Sequence, residues 1–105
     1  MDNATLRYSY VYGKLSEAIY RLAVGEGNIK TRLTAASEIF FAVDATMLPP
    51  EIGKRWSELS SDMNRFPATA YRTSFEETLH RVHFKTAASF ARRLIAIKFD
   101  LEGHL

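Results

Sequence analysis

Pro50-Glu51-Ile52-Gly53-Lys54-Arg55-Trp56-Ser57-Glu58-Leu59-Ser60-Ser61-Asp62-Met63-Asn64-Arg65-Phe66 sets Ile52, Trp56, Leu59, Met63 and Phe66 at successive intervals of 4, 3, 4 and 3. At about 3.6 residues per turn this spacing places all five on one face of an α-helix. Such a face is stable only when buried against another apolar face. The boundaries are also written here. Proline at a first helical position lacks a donor the helix would not use, so Pro49-Pro50 opens the segment, and Glu51 in the first turn favours the helix dipole. Phe66 precedes Pro67 and resists helical angles, which predicts an end near Arg65.

The same period extends outward in both directions. Ile29, Leu33, Ala36, Phe40 and Val43 predict a helix over 29–43, and Ile39 and Phe41 give it a second apolar edge. Toward the C-terminus, Leu79, Val82, Phe90, Leu94, Ile97 and Leu101 predict a final helix reaching about Glu102. Ser74-Phe75-Glu76-Glu77 reads as its capping box. The stripe slips between His83 and Phe90, which points to a kink or short break near Lys85-Thr86. Before all of these, Leu15, Ala18, Ile19, Leu22 and Ala23, extended backward by Tyr8, Val11 and Tyr12, predict a first helix from Thr5 to Val24. Gly25-Glu26-Gly27-Asn28 ends it, with glycine as a left-handed cap and Asn28 as the N-cap of the next helix. The expected fold is all-α: a four-helix bundle with a long or kinked C-terminal helix, one domain over residues 1–105.

Composition narrows the function classes. The chain is 47% hydrophobic and 25% charged, as ordinary folded domains are. It has no cysteine, which excludes disulfides, thiolate nucleophiles and zinc-thiolate sites. The start, Met1-Asp2-Asn3-Ala4-Thr5, lacks the basic and apolar regions of a secretory signal, and the longest apolar runs are too short to span a bilayer. The expected location is the cytoplasm, with no membrane partner.

Formal net charge is only +2, but it is unevenly spread. Residues 1–63 carry seven Lys/Arg against eight Asp/Glu, whereas residues 64–105 carry seven against four. On a helix Arg81, Lys85 and Arg92 follow a spacing of 4 and 7. With Arg93 they predict a basic ridge able to follow a phosphate backbone, beside which Tyr71 and Phe84 could stack on bases. The bland alternative is a solvated helix face.

Sites for chemistry are scarce. His80 and His83, three apart, could approach one metal with Glu76, but the spacing matches no zinc signature. Gly25-x-Gly27 lacks the downstream Gly-Lys-Ser/Thr of a phosphate loop and reads as a turn. Glu76 and Glu77 are adjacent and face different ways, which suits capping better than paired acid–base work. No catalytic residue, metal or cofactor is expected. The remaining surplus is aromatic: Tyr8, Tyr10, Tyr12 and Tyr20 spread over several faces of one helix and cannot all enter one small core. Tyrosine favours interfaces, so these four are the candidate contact residues for self-association or a protein partner.

Two stretches carry a resemblance. Gly27-Asn28-Ile29-Lys30-Thr31-Arg32-Leu33 followed by Leu48-Pro49-Pro50-Glu51, and Ser74 to Ile97 with Ala91-Arg92-Arg93-Leu94-Ile95, resemble small bacterial all-helical proteins of unknown function. The likeness spans most of residues 14–101. It implies a helical fold in a bacterial protein and supplies no activity to carry over. Within it Arg32, beside a helix start, is expected to pair with Glu26 or Glu51, with an anion as the alternative. The function expected is a non-enzymatic interaction or accessory protein, with a small nucleic-acid-binding module as the runner-up.

Overall fold

The computed structural model describes residues 2–105, and among them every regular element is helical. In order these are α1 (Asn3–Val24), α2 (Ile29–Ala36), α3 (Ile39–Ala42), a 3-10 turn (Ala45–Met47), α4 (Pro50–Met63), α5 (Ser74–Arg81) and α6 (Phe84–Glu102). Helix α1 packs on α2, α3 and α6, while α4 packs on α5, α6 and the 3-10 turn. The apolar stripes meet at the centre: Val11, Leu15, Ala18 and Leu22 from α1, Leu33 and Ala36 from α2, Ile52, Trp56, Leu59 and Met63 from α4, and Phe90, Leu94, Ile97 and Leu101 from α6 are all buried. No helix among the described residues is long and apolar enough to cross a membrane.

The termini follow from local chemistry. The Asp2 carboxylate accepts from the Thr5 amide at 2.7 Å and starts α1 two residues before the expected Thr5. Asn28 caps α2, accepting from the Lys30 and Thr31 amides. Between them the left-handed residue is Gly27, at φ 88°, whereas Gly25 is extended. The turn therefore needs glycine two positions later than the sequence suggested. At Gly53 the reason is proximity, since a Cβ there would sit 2.6 Å from the Ala45 carbonyl.

Two expected helices are interrupted. The segment 29–43 breaks at Ser37-Glu38, where the Ser37 hydroxyl donates to the Thr34 carbonyl at 2.7 Å. Phe40 and Phe41 then bond three residues back, to Ser37 and Glu38. These tighter turns shift the helical phase. Phe40 consequently stacks on Trp56, ring centroids 4.4 Å apart, while Phe41 faces outward. The Trp56 indole N–H donates to the carbonyl of Val43, the extended residue that ends α3, at 3.2 Å.

The final segment breaks at Val82-His83, three residues before the expected Lys85-Thr86, with both residues extended. Val82 is thereby buried, and α6 begins on a fresh phase that turns Phe90, Leu94, Ile97 and Leu101 inward. The cap of α5 is also displaced by one residue. Thr73 accepts from the Glu76 amide and Glu76 accepts from the Thr73 amide, so the box is Thr73/Glu76 and not Ser74/Glu77. Helix α4 ends at Met63, with Asn64 donating to the Ser60 carbonyl at 2.8 Å.

Candidate functional site

Glu77, left out of the cap, is the one carboxylate buried among the described residues. It accepts from Arg81 at 2.8 Å and from Arg72 at 3.4 Å. The Arg81 hydrogen bond holds its carboxyl below the usual range against the opposing effect of burial, and Arg72 assists. Arg81 also lies over the Phe66 ring, 4.9 Å from its centroid. The loop 66–73 is pinned from several sides: the Phe66 amide donates to the Thr78 hydroxyl, and the Tyr71 and Arg72 amides donate to the Thr69 hydroxyl. This is a structural clamp on the loop before α5.

Other ionisable groups are similarly committed. Asp2, Asp44 and Glu76 are lowered by hydrogen bonds from Thr5, Thr46 and Thr73, and Tyr12 is raised by its bond to Glu102. Each shift moves its group away from neutrality, the reverse of what acid–base catalysis requires. A polar groove between α2 and α5 is an open trough lined by Lys30, Glu38, Arg72, Glu76 and His80 among others. Its carboxylates already have partners, Glu38 in Arg21 and Glu76 in the Thr73 amide. His80 lies in the last turn of α5 and His83 precedes the first residue of α6, both exposed, and no three His, Asp or Glu side chains among the described residues converge on a common point.

The four basic residues do not share one continuous helix. Arg81 stands on α5, apart from Lys85, Arg92 and Arg93 on α6, and the break at Val82-His83 removes the spacing that aligned them. Arg81 pairs with Glu77 and Arg93 with Asp62 at 2.8 Å. Lys85 and Arg92 are exposed and make no ion pair among the described residues. Arg32 pairs with neither Glu26 nor Glu51. Its guanidinium donates to the Leu22 carbonyl at 2.8 Å and so caps the C-terminus of α1. His104, near the end of the chain, packs edge-on against Tyr8.

The four tyrosines divide into two pairs. Tyr8 and Tyr12 lean on the core toward α6, where the Tyr12 hydroxyl donates to Glu102 at 2.8 Å and Lys98 sits over its ring. Tyr10 and Tyr20 are 47% and 66% exposed, on the side of α1 turned away from the core. Leu6 and Val24, each more than half exposed, join them. With Gly13 and Glu17 these residues run Leu6, Tyr10, Gly13, Glu17, Tyr20, Val24, a continuous 4-3-4-3-4 pattern on one face. Gly13 has no internal explanation: a Cβ added there would meet nothing within 4 Å. In mid-helix such a glycine costs about 0.5–1 kcal/mol relative to alanine. The outer face of α1 is thus a regular, partly apolar helix face that the described residues leave uncovered. Leu6, Gly13, Glu17 and Val24 escape a reading that looks only for apolar repeats, because glycine and glutamate interrupt the run. Their common phase with Tyr10 and Tyr20 is the signal.

Comparison with known proteins finds no matching family model, curated protein or solved structure.

Proposed function

We propose that this chain is a non-enzymatic interaction protein of a bacterial cytoplasm that self-associates through the outer face of α1. The observation that carries this reading is the exposure of Tyr10 and Tyr20, with Leu6 and Val24, on one side of a helix whose other side builds the core. Large rigid aromatics on an ordered helix lose little conformational freedom when a partner covers them. Tyr8 and Tyr12 serve this role indirectly, by fixing α1 against α6. In this reading the chain is one domain and a four-helix bundle, in which α2–α3 and α5–α6 each count as one interrupted unit and the latter is the kinked C-terminal helix. Commitment of the buried carboxylate and the groove carboxylates to structural partners supports a protein without an active site or cofactor.

The experiment is light scattering on the native chain beside Tyr10→Ser/Tyr20→Ser. The native protein should have twice the 12.0 kDa chain mass, and the double variant should be monomeric with an unchanged helical circular-dichroism spectrum. Equal masses for the two would remove the tyrosines from the contact.

A second reading is kept alive by Lys85 and Arg92, which are exposed without acidic partners. A nucleic-acid module using them, with Arg93 and Arg81, should give a mobility shift on RNA or DNA that weakens steeply with salt. Arg92→Ala/Arg93→Ala would flatten that slope, and no shift at low salt would eliminate the reading.

A further inference from the structure

The exposed face of α1 is symmetric about its own middle. Leu6 and Val24 lie equally far from Leu15, as do Tyr10 and Tyr20, and as do Gly13 and Glu17. A two-fold contact requires self-complementarity, so that when one residue meets a second, the second meets the first across the axis. Two α1 helices laid antiparallel, with the axis at the level of Leu15, satisfy that requirement along about 27 Å of helix. We infer that the partner of this face is a second copy of the chain, docked antiparallel so that Leu6 meets Val24, Tyr10 meets Tyr20 and Gly13 meets Glu17. The inference rests on the self-association proposed above and specifies its geometry.

Charge and shape both favour this register. The Glu17 side chain is 65% exposed and its carboxylate lies 3.8 Å from the Lys14 ammonium. A parallel pairing would set Glu17 of one copy against Glu17 of the other, two like charges at the centre of an apolar seam. The antiparallel pairing sets each Glu17 opposite Gly13, beside Lys14 of the second copy, so that two carboxylates and two ammonium groups alternate. It also gives Gly13 a reason: the open space at its Cα is where the Glu17 stem of the other copy lies. One flank of the seam, Arg7, Lys14 and Arg21, meets its own counterpart. Two of those cations are already balanced within the chain, Lys14 by Glu17 and Arg21 by Glu38 at 2.7 Å.

The absence of cysteine makes the test clean. Tyr10→Cys and Tyr20→Cys chains are prepared separately, then oxidised mildly alone and as an equimolar mixture, and read on a non-reducing gel. The antiparallel register brings position 10 beside position 20 and leaves like positions about 15 Å apart, too far for a disulfide. A mixed dimer also keeps one Tyr10–Tyr20 contact intact. The mixture should therefore cross-link efficiently and each chain alone should not. Cross-linking of Tyr10→Cys with itself would overturn the antiparallel register. A native dimer by light scattering with no cross-link in the mixture would overturn the register while leaving self-association standing. A native monomer throughout would overturn both.

Discussion

The two faces of α1 are written in one code and meet different fates. On the inner face Val11, Leu15, Ala18 and Leu22 step by 4, 3 and 4 and are buried almost completely. On the outer face Leu6, Tyr10, Gly13, Glu17, Tyr20 and Val24 keep the same step and stay in solvent. Periodicity reports that a helix has a face to cover, and says nothing of whether the cover comes from the same chain. Composition separates them. The inner face uses compact aliphatics that interdigitate with α2 and α6, whereas the outer one uses tyrosine, which tolerates water on one edge.

The sharpest way to break this contrast is truncation on each side. Leu15→Ala, at a fully buried position, should cost about 2–5 kcal/mol in chemical denaturation. Leu6→Ala, measured in dilute solution, should stay within about 0.5 kcal/mol of the native value. Similar losses at the two positions would mean that the outer face is covered within the chain.

Acidification offers a polar counterpart, since Glu77 is buried like the inner face yet charged. Its folded carboxyl sits below its ordinary value of 4.5. The stability it contributes is therefore complete above that ordinary value and is lost as pH falls through the lower folded value. Glu77→Gln should flatten the decline in denaturation midpoint on acidification. An unchanged pH profile would show that Arg72 and Arg81 do not hold the carboxylate.

Smaller effects locate the caps and the glycine. Thr73→Ala should cost about 1 kcal/mol, because the Thr73 hydroxyl accepts from the Glu76 amide. Gly13→Ala should stabilise the dilute chain by about 0.5–1 kcal/mol, since nothing within 4 Å opposes the new methyl group. Loss of stability there in thermal melts would mean that the glycine serves the isolated fold.

These same positions mark how far the sequence could be read. The inward stripes, Pro50 at a helix start and Asn28 as a cap are legible because each acts within a turn or two of chain. Thr73 and Ser74 each precede a glutamate by three residues, so two overlapping capping boxes are written, and the Ser74 hydroxyl is instead taken up by the Asn64 side chain. Arg72 and Arg81 claim Glu77, and the cap falls to Thr73 with Glu76. The interruptions at Ser37-Glu38 and Val82-His83 contain neither proline nor glycine. Each break goes with a contact made outside its own segment or in the core, Phe40 stacked on Trp56 and Val82 buried, which no local signal announces. The spacing that aligned Arg81 with Lys85 and Arg92 assumed that α5 and α6 were one helix, and the break at Val82-His83 removes that premise. Among the tyrosines, the split between Tyr8/Tyr12 and Tyr10/Tyr20 depends on which side of α1 receives α6, and that is a fact about packing.

The central claim, that the outer face of α1 is covered by another molecule of the same chain, is tested most directly by sedimentation equilibrium of the unaltered protein from low to high micromolar concentration. The account predicts a mass rising to twice 12.0 kDa and stopping there, because a two-fold contact closes on itself. A mass fixed at 12.0 kDa across the range, or one that climbs past the dimer without limit, would contradict it.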